Sequence, residues 1–135
     1  MNDAFEAFDL SGRTAVIAGA SSDIGVAVAL RLAAAGANVA LGDIDESRMQ
    51  ATESALAKGE TGVLSLRTDV TRRADLEALV QRAVQAFGRI DVMANIAGII
   101  HDSPVVETSG EVDERLRRLP GPRDARADRD IVPIR

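Results

Sequence analysis

Residues 13–25 read RTAVIAGASSDIG, and the fold is decided there. Arg13–Ala18 is a short apolar run that stops at Gly19, which predicts a buried strand. Ile24–Ala35 (IGVAVALRLAAA) follows at once, apolar nearly all round, with Arg31 as its one charge. Its length and alanine content predict a helix, and its uniform apolarity predicts one pressed on a sheet. Gly36 is placed to end it. Strand, glycine-rich turn and helix thus follow one another without a spacer.

The same alternation continues downstream. Asn38–Leu41 reads as a second strand and Glu46–Ala57 as an amphipathic helix closed near Gly59. Gly62–Leu66 reads as a third strand. Thr71 is placed to cap a helix running to Phe87, with Leu76, Leu79, Val80, Val84 and Phe87 on one stripe. Ile90–Ala94 reads as a fourth strand. The order βαβαβαβ requires right-handed crossovers and builds a parallel sheet. The expected class is α/β: a Rossmann-like, partial parallel sheet with strand order 3-2-1-4, truncated beyond its fourth strand. Ile90–Ala94 then lies at an edge, with Val92 and Met93 partly uncovered.

Composition narrows the function classes. The chain has 135 residues, enough for one core, and is 46% hydrophobic and 27% charged. It has no cysteine and one histidine, His101, which excludes thiolate chemistry and argues against metal clusters and a Ser-His-Asp triad. No metal site is expected. The net charge of -5 argues against general nucleic-acid binding. No apolar run approaches the roughly 18 residues of a membrane span. Met1–Leu10 carries Asp3, Glu6 and Asp9 and no basic residue, unlike a signal peptide, so the expected location is cytoplasmic, with no membrane partner.

Gly19–Gly25 (GASSDIG) lies between the first strand and the first helix. Glycines there let backbone approach a ligand, and the helix start offers free N–H groups and a positive dipole end. That suits a pyrophosphate, although glycine also serves such turns for geometry alone. Asp43 ends the second strand, where a dinucleotide fold presents a carboxylate to the adenosine ribose. An exposed turn carboxylate beside Asp45 and Glu46 is the plain alternative. A carboxylate at the ribose would repel a 2′-phosphate.

With these motifs in place, residues 10–110 resemble the N-terminal half of a short-chain dehydrogenase/reductase. Ala18–Gly25 corresponds to the TGxxxGxG motif, and Leu10–Arg13 to the lead-in to the first strand. Asp69-Val70 corresponds to the pair at the adenine, and Asn95-Ile96-Ala97-Gly98 to NNAG. The resemblance implies that Gly19, Ser21, Ser22, Asp23, Ile24 and Gly25 form the phosphate loop and that Asp43 binds ribose. It places Asp69 and Val70 at the adenine and Asn95, Ala97 and Gly98 along the inner wall of the cofactor site. NADP-dependent members often carry Arg where Ser22 stands. Ser22 and Asp43 together point to NAD, with NADP the less favoured cofactor.

Asp23 replaces the middle glycine of the motif. At ~5 Å and an effective dielectric of 20 it repels a phosphate charge by ~3 kcal/mol, less in solvent. The same Asp is a candidate helix cap. Ile96 replaces the second Asn of NNAG. The larger departure concerns catalysis, for which the family uses a Ser and a Tyr-x-x-x-Lys pair on a later helix. The chain has no tyrosine, and its only lysine, Lys58, ends the second helix. No catalytic residue is assigned, and His101 reads as a solvated loop residue.

The chain changes character near Gly110. Residues 1–110, the expected NAD(P)-binding Rossmann-like domain, hold 9 basic and 15 acidic residues. Residues 111–135 hold seven arginines and 6 acids among Pro120, Pro122 and Pro133. Thr108 and Glu111 could open a helix that Pro120-Gly121-Pro122 would stop. The tail is expected to be frameshifted, since Val112-Asp113-Glu114-Arg115 can be encoded so that a one-base shift reads Trp-Thr-Asn-Val. A natural disordered tail and a divergent C-terminus are the other readings. The expected function is therefore that of the short-chain family, NAD-dependent interconversion of an alcohol and a carbonyl. Only the cofactor-binding half is kept, and the chain is expected to be inactive. The alternative is a non-catalytic dinucleotide-binding remnant or module. A small alcohol or carbonyl substrate belongs to a full-length relative, and a family-type oligomer is not expected.

Overall fold

The structure, a computed structural model, describes residues 8–98. The expectations for His101, Thr108, Glu111 and the 111–135 tail lie outside the described residues. Four strands and three helices alternate: β1 (Thr14–Ala18), α1 (Asp23–Ala34), β2 (Asn38–Asp43), α2 (Glu46–Leu56), β3 (Val63–Arg67), α3 (Arg73–Phe87) and β4 (Val92–Asn95). They form one four-stranded sheet in the order β3-β2-β1-β4, all pairs parallel, as the alternation requires. Register runs Thr14↔Asn38 to Ala18↔Gly42 on one side of β1 and Ala15↔Val92 to Ala18↔Asn95 on the other.

All five residues of β1 are buried, which explains its unbroken apolar run. Side chains alternate across the sheet. Ile17, Val39 and Leu41 pack with Ala29 of α1 and Met49 and Leu56 of α2 on one face. Val16 and Ala40 pack with Leu79 and Ala83 of α3 on the other. Ile17, Leu41, Met49 and Leu79 are fully buried, and each such burial contributes about 1.5–3 kcal/mol.

Three local expectations change. Helix α1 buries only Gly25 and Ala29, with Val28, Leu32 and Ala33 half-covered. Its other apolar side faces outward, leaving Leu30 42% exposed. A helix on one sheet face has only one stripe to bury, so uniform apolarity overstated the contact. Val84 is likewise exposed, because it lies about 140° around α3 from Leu79. Thr71 is not the cap of α3. Its N–H and hydroxyl donate to the Asp69 carboxylate at 2.9 and 2.6 Å, and the helix starts one residue past Arg72, which makes no side-chain cap. Strand β4 lies at the edge, as expected, with Val92 half-buried and Met93 exposed.

Candidate functional site

The carboxyl ends of the strands meet at Ala18, Asp43, Arg67 and Asn95. Order 3-2-1-4 sends the chain from β1 to β2 on one side and returns it at β4 on the other. In open α/β sheets a ligand crevice opens outside the carboxyl ends at such a reversal.

The loop after β1 is tied to both neighbours. Gly19 and Ala20 donate their N–H groups to the Gly42 carbonyl at 2.8 and 3.2 Å. Ile96 and Ala97 donate theirs to the Ala18 carbonyl at 2.8 and 3.1 Å. Gly19 has φ +86°, and a Cβ there would sit 2.4 Å from the Ala97 nitrogen. A Cβ on Gly25 would sit 2.2 Å from the Gly19 carbonyl oxygen. Both positions exclude a side chain, because a Cβ at either would collide with the backbone of the loop itself or of the segment after β4. Packing alone accounts for glycine at these two positions.

Within the loop the roles divide. Ser22, not Asp23, caps α1: its hydroxyl accepts from the Gly25 N–H and donates to the Gly19 carbonyl, both at 3.0 Å. Asp23 opens the helix and pairs instead with Arg48, Nη2 to Oδ1 at 2.8 Å. Ile24 is 68% exposed at the helix start. Ser21 is buried, and its hydroxyl donates to the Asp45 carbonyl at 3.2 Å.

Asp43 closes β2 beside this loop. One carboxylate oxygen accepts the Ser21 N–H at 3.0 Å and the other the Asp45 N–H at 3.1 Å. Two backbone amides thus fix its orientation. A carboxylate has about four lone-pair sites, so each oxygen keeps capacity for one further donor. Thr68, fully buried, donates its N–H to the Asp43 carbonyl at 2.9 Å and joins the end of β3 to the end of β2. Asp69 and Val70 follow, both half-buried. The Asp69 N–H goes to the Asp75 carboxylate at 3.0 Å. The hydroxyl and then the amide of Thr71 hold the Asp69 carboxyl below its usual range.

Asn95 ends β4 opposite Ala18 in register, and Ala97 abuts Gly19. Gly98 opens the following part of the chain and is exposed. The residues through Ala97 therefore gather at one end of the sheet. Among the described residues no cluster of His, Cys, Asp or Glu has the makings of a metal site, and no helix is long and apolar enough to cross a membrane.

A family model described as short chain dehydrogenase matches residues 13–117. The chain belongs to the short-chain dehydrogenase family. A 3beta-hydroxysteroid dehydrogenase 2 of Eggerthella lenta is 38% identical over 111 residues, 82% of this chain and 43% of that protein. A diacetyl reductase [(S)-acetoin forming] of Staphylococcus epidermidis is 37% identical over 107 residues, 79% of this chain and 40% of that protein. Among solved structures, a short-chain type dehydrogenase/reductase from Mycobacterium marinum superposes with a TM-score of 0.80 at 31% identity, covering 87% of this chain and 47% of that one. A short-chain dehydrogenase/reductase from Burkholderia phymatum, in complex with NAD, gives 0.78 at 32% identity, covering 82% and 40%. The chain thus spans about two-fifths of the length of these curated relatives.

Two residues of this short-chain dehydrogenase end escaped the sequence reading. Thr68 carries no motif signal of its own. Arg48 had one: the carboxylate of Asp23 in a phosphate-type loop calls for a counter-charge, and the start of α2 is the segment that can reach it.

Proposed function

We propose that the crevice at the carboxyl ends of β1, β2 and β4 binds a nicotinamide–adenine dinucleotide, NAD in preference to NADP. The observation that carries this reading is Asp43, whose carboxylate is held by the Ser21 and Asp45 amides beside a tight loop whose Gly19 and Gly25 admit no side chain. The residues fit the group. The amino end of α1 beside Gly19 suits the pyrophosphate, and the free lone pairs of Asp43 suit the adenosine ribose hydroxyls. Asp69 and Val70 would flank the adenine, and Asn95 and Ala97 the inner wall. The cofactor, when bound, supplies the redox chemistry. The protein's part is to bind and orient it.

Proton transfer is a separate requirement. The 135 residues contain no tyrosine, and their one lysine, Lys58, follows the end of α2, away from the crevice-lining segments. Loss of a positioned acid costs about 10²–10⁴-fold in rate. These residues by themselves are therefore a dinucleotide-binding module without turnover. Alcohol–carbonyl interconversion would need a Tyr and Lys supplied by further polypeptide.

Calorimetric titration tests the reading. NAD should bind at least about tenfold more tightly than NADP, a difference of about 1.4 kcal/mol. Asp43→Ala should remove that preference. Equal affinities in the unaltered chain, or an unchanged preference in Asp43→Ala, would overturn the ribose role.

A further inference from the structure

Asp23 occupies the first position of α1, and its side chain is 97% exposed. An acid there complements the helix dipole. It also stands at the helix end that would receive a diphosphate. Arg48 lies in the first turn of α2, the wrong end for a cation, so the dipole of α2 gives no reason for it. Stability gives little more, because exposed ion pairs contribute weakly to folding. Yet the pair is closely made, and its base is fixed. The Arg48 N–H donates to the Asp45 carboxylate that caps α2 at 3.1 Å, and the Asp45 carbonyl accepts the Ser21 hydroxyl of the glycine loop. The backbone from which the arginine projects is thus joined, through Asp45, to the same loop whose acid it engages.

We propose that Arg48 is a positioning residue for the dinucleotide: it draws the Asp23 carboxylate toward α2 and neutralises it, so that a glycine loop carrying an acid still accepts a diphosphate. The inference rests on the dinucleotide reading of the crevice. Arg48 acts through Asp23, so its effect on affinity depends on Asp23 being there. A guanidinium that touched the phosphates on its own account, or merely braced α2, would act independently of Asp23.

A double-mutant cycle on the full chain separates these cases. NAD affinity is titrated in the unaltered protein, Arg48→Gln, Asp23→Asn and the double variant, with ligand-free thermal melts confirming that each folds. Arg48→Gln should weaken NAD about three- to fivefold when Asp23 is present and by less than about 1.5-fold in the Asp23→Asn background, in line with exposed charge pairs. Asp23→Asn alone should tighten NAD about twofold or more. Arg48→Lys should keep most of the affinity. The loss in Arg48→Gln should shrink as salt is raised past about 0.1 M, where the Debye length falls to about 10 Å. Equal loss from Arg48→Gln in both backgrounds overturns this inference alone. If none of the variants binds NAD, the dinucleotide reading itself fails and takes the inference with it.

Discussion

Asp43 and Asp91 stand at opposite ends of the same sheet. Asp43 is at the carboxyl end of β2, and Asp91 directly precedes β4 at the amino end. Each carboxylate accepts a backbone N–H from a neighbouring segment: Ser21 for Asp43 at 3.0 Å, and Thr14 for Asp91 at 2.9 Å. Beyond that they diverge. Asp91 also receives two guanidinium groups, Arg89 through Nε and Nη2 and Arg13 through Nη1 at 3.2 Å. Among the described residues Asp43 adds only the Asp45 amide. One end is tied down by charge. The other is aligned by backbone and keeps acceptor capacity. On the proposed dinucleotide reading, stability and binding are separated along the strand direction.

The largest effect is expected from glycines. Gly12, before β1, and Gly19, after it, both have positive φ, at +74° and +86°. Nothing lies within 4 Å of a Cβ on Gly12, whereas a Cβ on Gly19 meets the Ala97 backbone. Gly12→Ala should cost about 1–2 kcal/mol from backbone conformation alone. Gly19→Ala adds a collision with backbone that cannot swing aside, for a total of about 2–5 kcal/mol. Urea unfolding measures both. Similar losses at the two sites would mean that the contact with the β4 loop is not felt.

Next come the carboxylates, read crosswise. Asp43→Ala should lower NAD affinity about tenfold, about 1.4 kcal/mol. Asp91→Ala should leave NAD affinity unchanged and lower the melting temperature. A fall in NAD affinity in Asp91→Ala with the fold intact would break the separation of the two ends.

Acid sensitivity should track Asp91. The Arg89 hydrogen bonds, then the Thr14 amide, lower its pKa to about 2. In the unfolded chain the same group titrates near the ordinary aspartate value of 3.8. Its folded pKa is depressed, so its contribution to stability is complete above pH 4 and is lost as pH falls toward 2. Asp91→Asn should flatten stability over that window. An unchanged acid limb in Asp91→Asn would assign the acid response to other groups.

Much of this arrangement was legible in residues 13–95, because strand and helix periods differ and glycine marks four of the six junctions. The strand order followed from alternation. Asp43 was legible because it ends a strand at a fixed position after the glycine loop. What escaped depends on contacts between segments distant in sequence. The exposed side of α1 cannot be told from its buried side when both are apolar. Thr71 looked like a cap because its residue type favours caps, but Asp69 offered its hydroxyl and amide a nearer partner. The pairing of Asp23 with Arg48, 25 residues on, needs the two helix starts brought side by side. Asp91 was invisible as a structural residue because, Arg89 apart, its partners Thr14 and Arg13 lie 77 and 78 residues back.

The smallest effect pits two hydroxyls against each other. Thr14, fully buried at the amino end of β1, has a hydroxyl oxygen with no hydrogen-bond partner. Ser21, buried at the other end, donates its hydroxyl to the Asp45 carbonyl. A buried polar atom without a partner keeps its desolvation cost, so removing it is favourable when shape is preserved. Thr14→Val keeps the branched shape and should stabilise by about 0.5–1 kcal/mol. Ser21→Ala removes one of the two donors to the Asp45 carbonyl, leaving the Met49 N–H, and should destabilise by about 0.5–1 kcal/mol. It should also loosen the join between the glycine loop and the cap of α2, so NAD affinity should fall slightly in Ser21→Ala and not in Thr14→Val. Denaturation and titration of both variants give the four numbers. A loss of stability in Thr14→Val would mean that its hydroxyl finds a partner at the amino end. That end would then hold a polar network of its own, and the contrast between the two ends would narrow to the charges around Asp91.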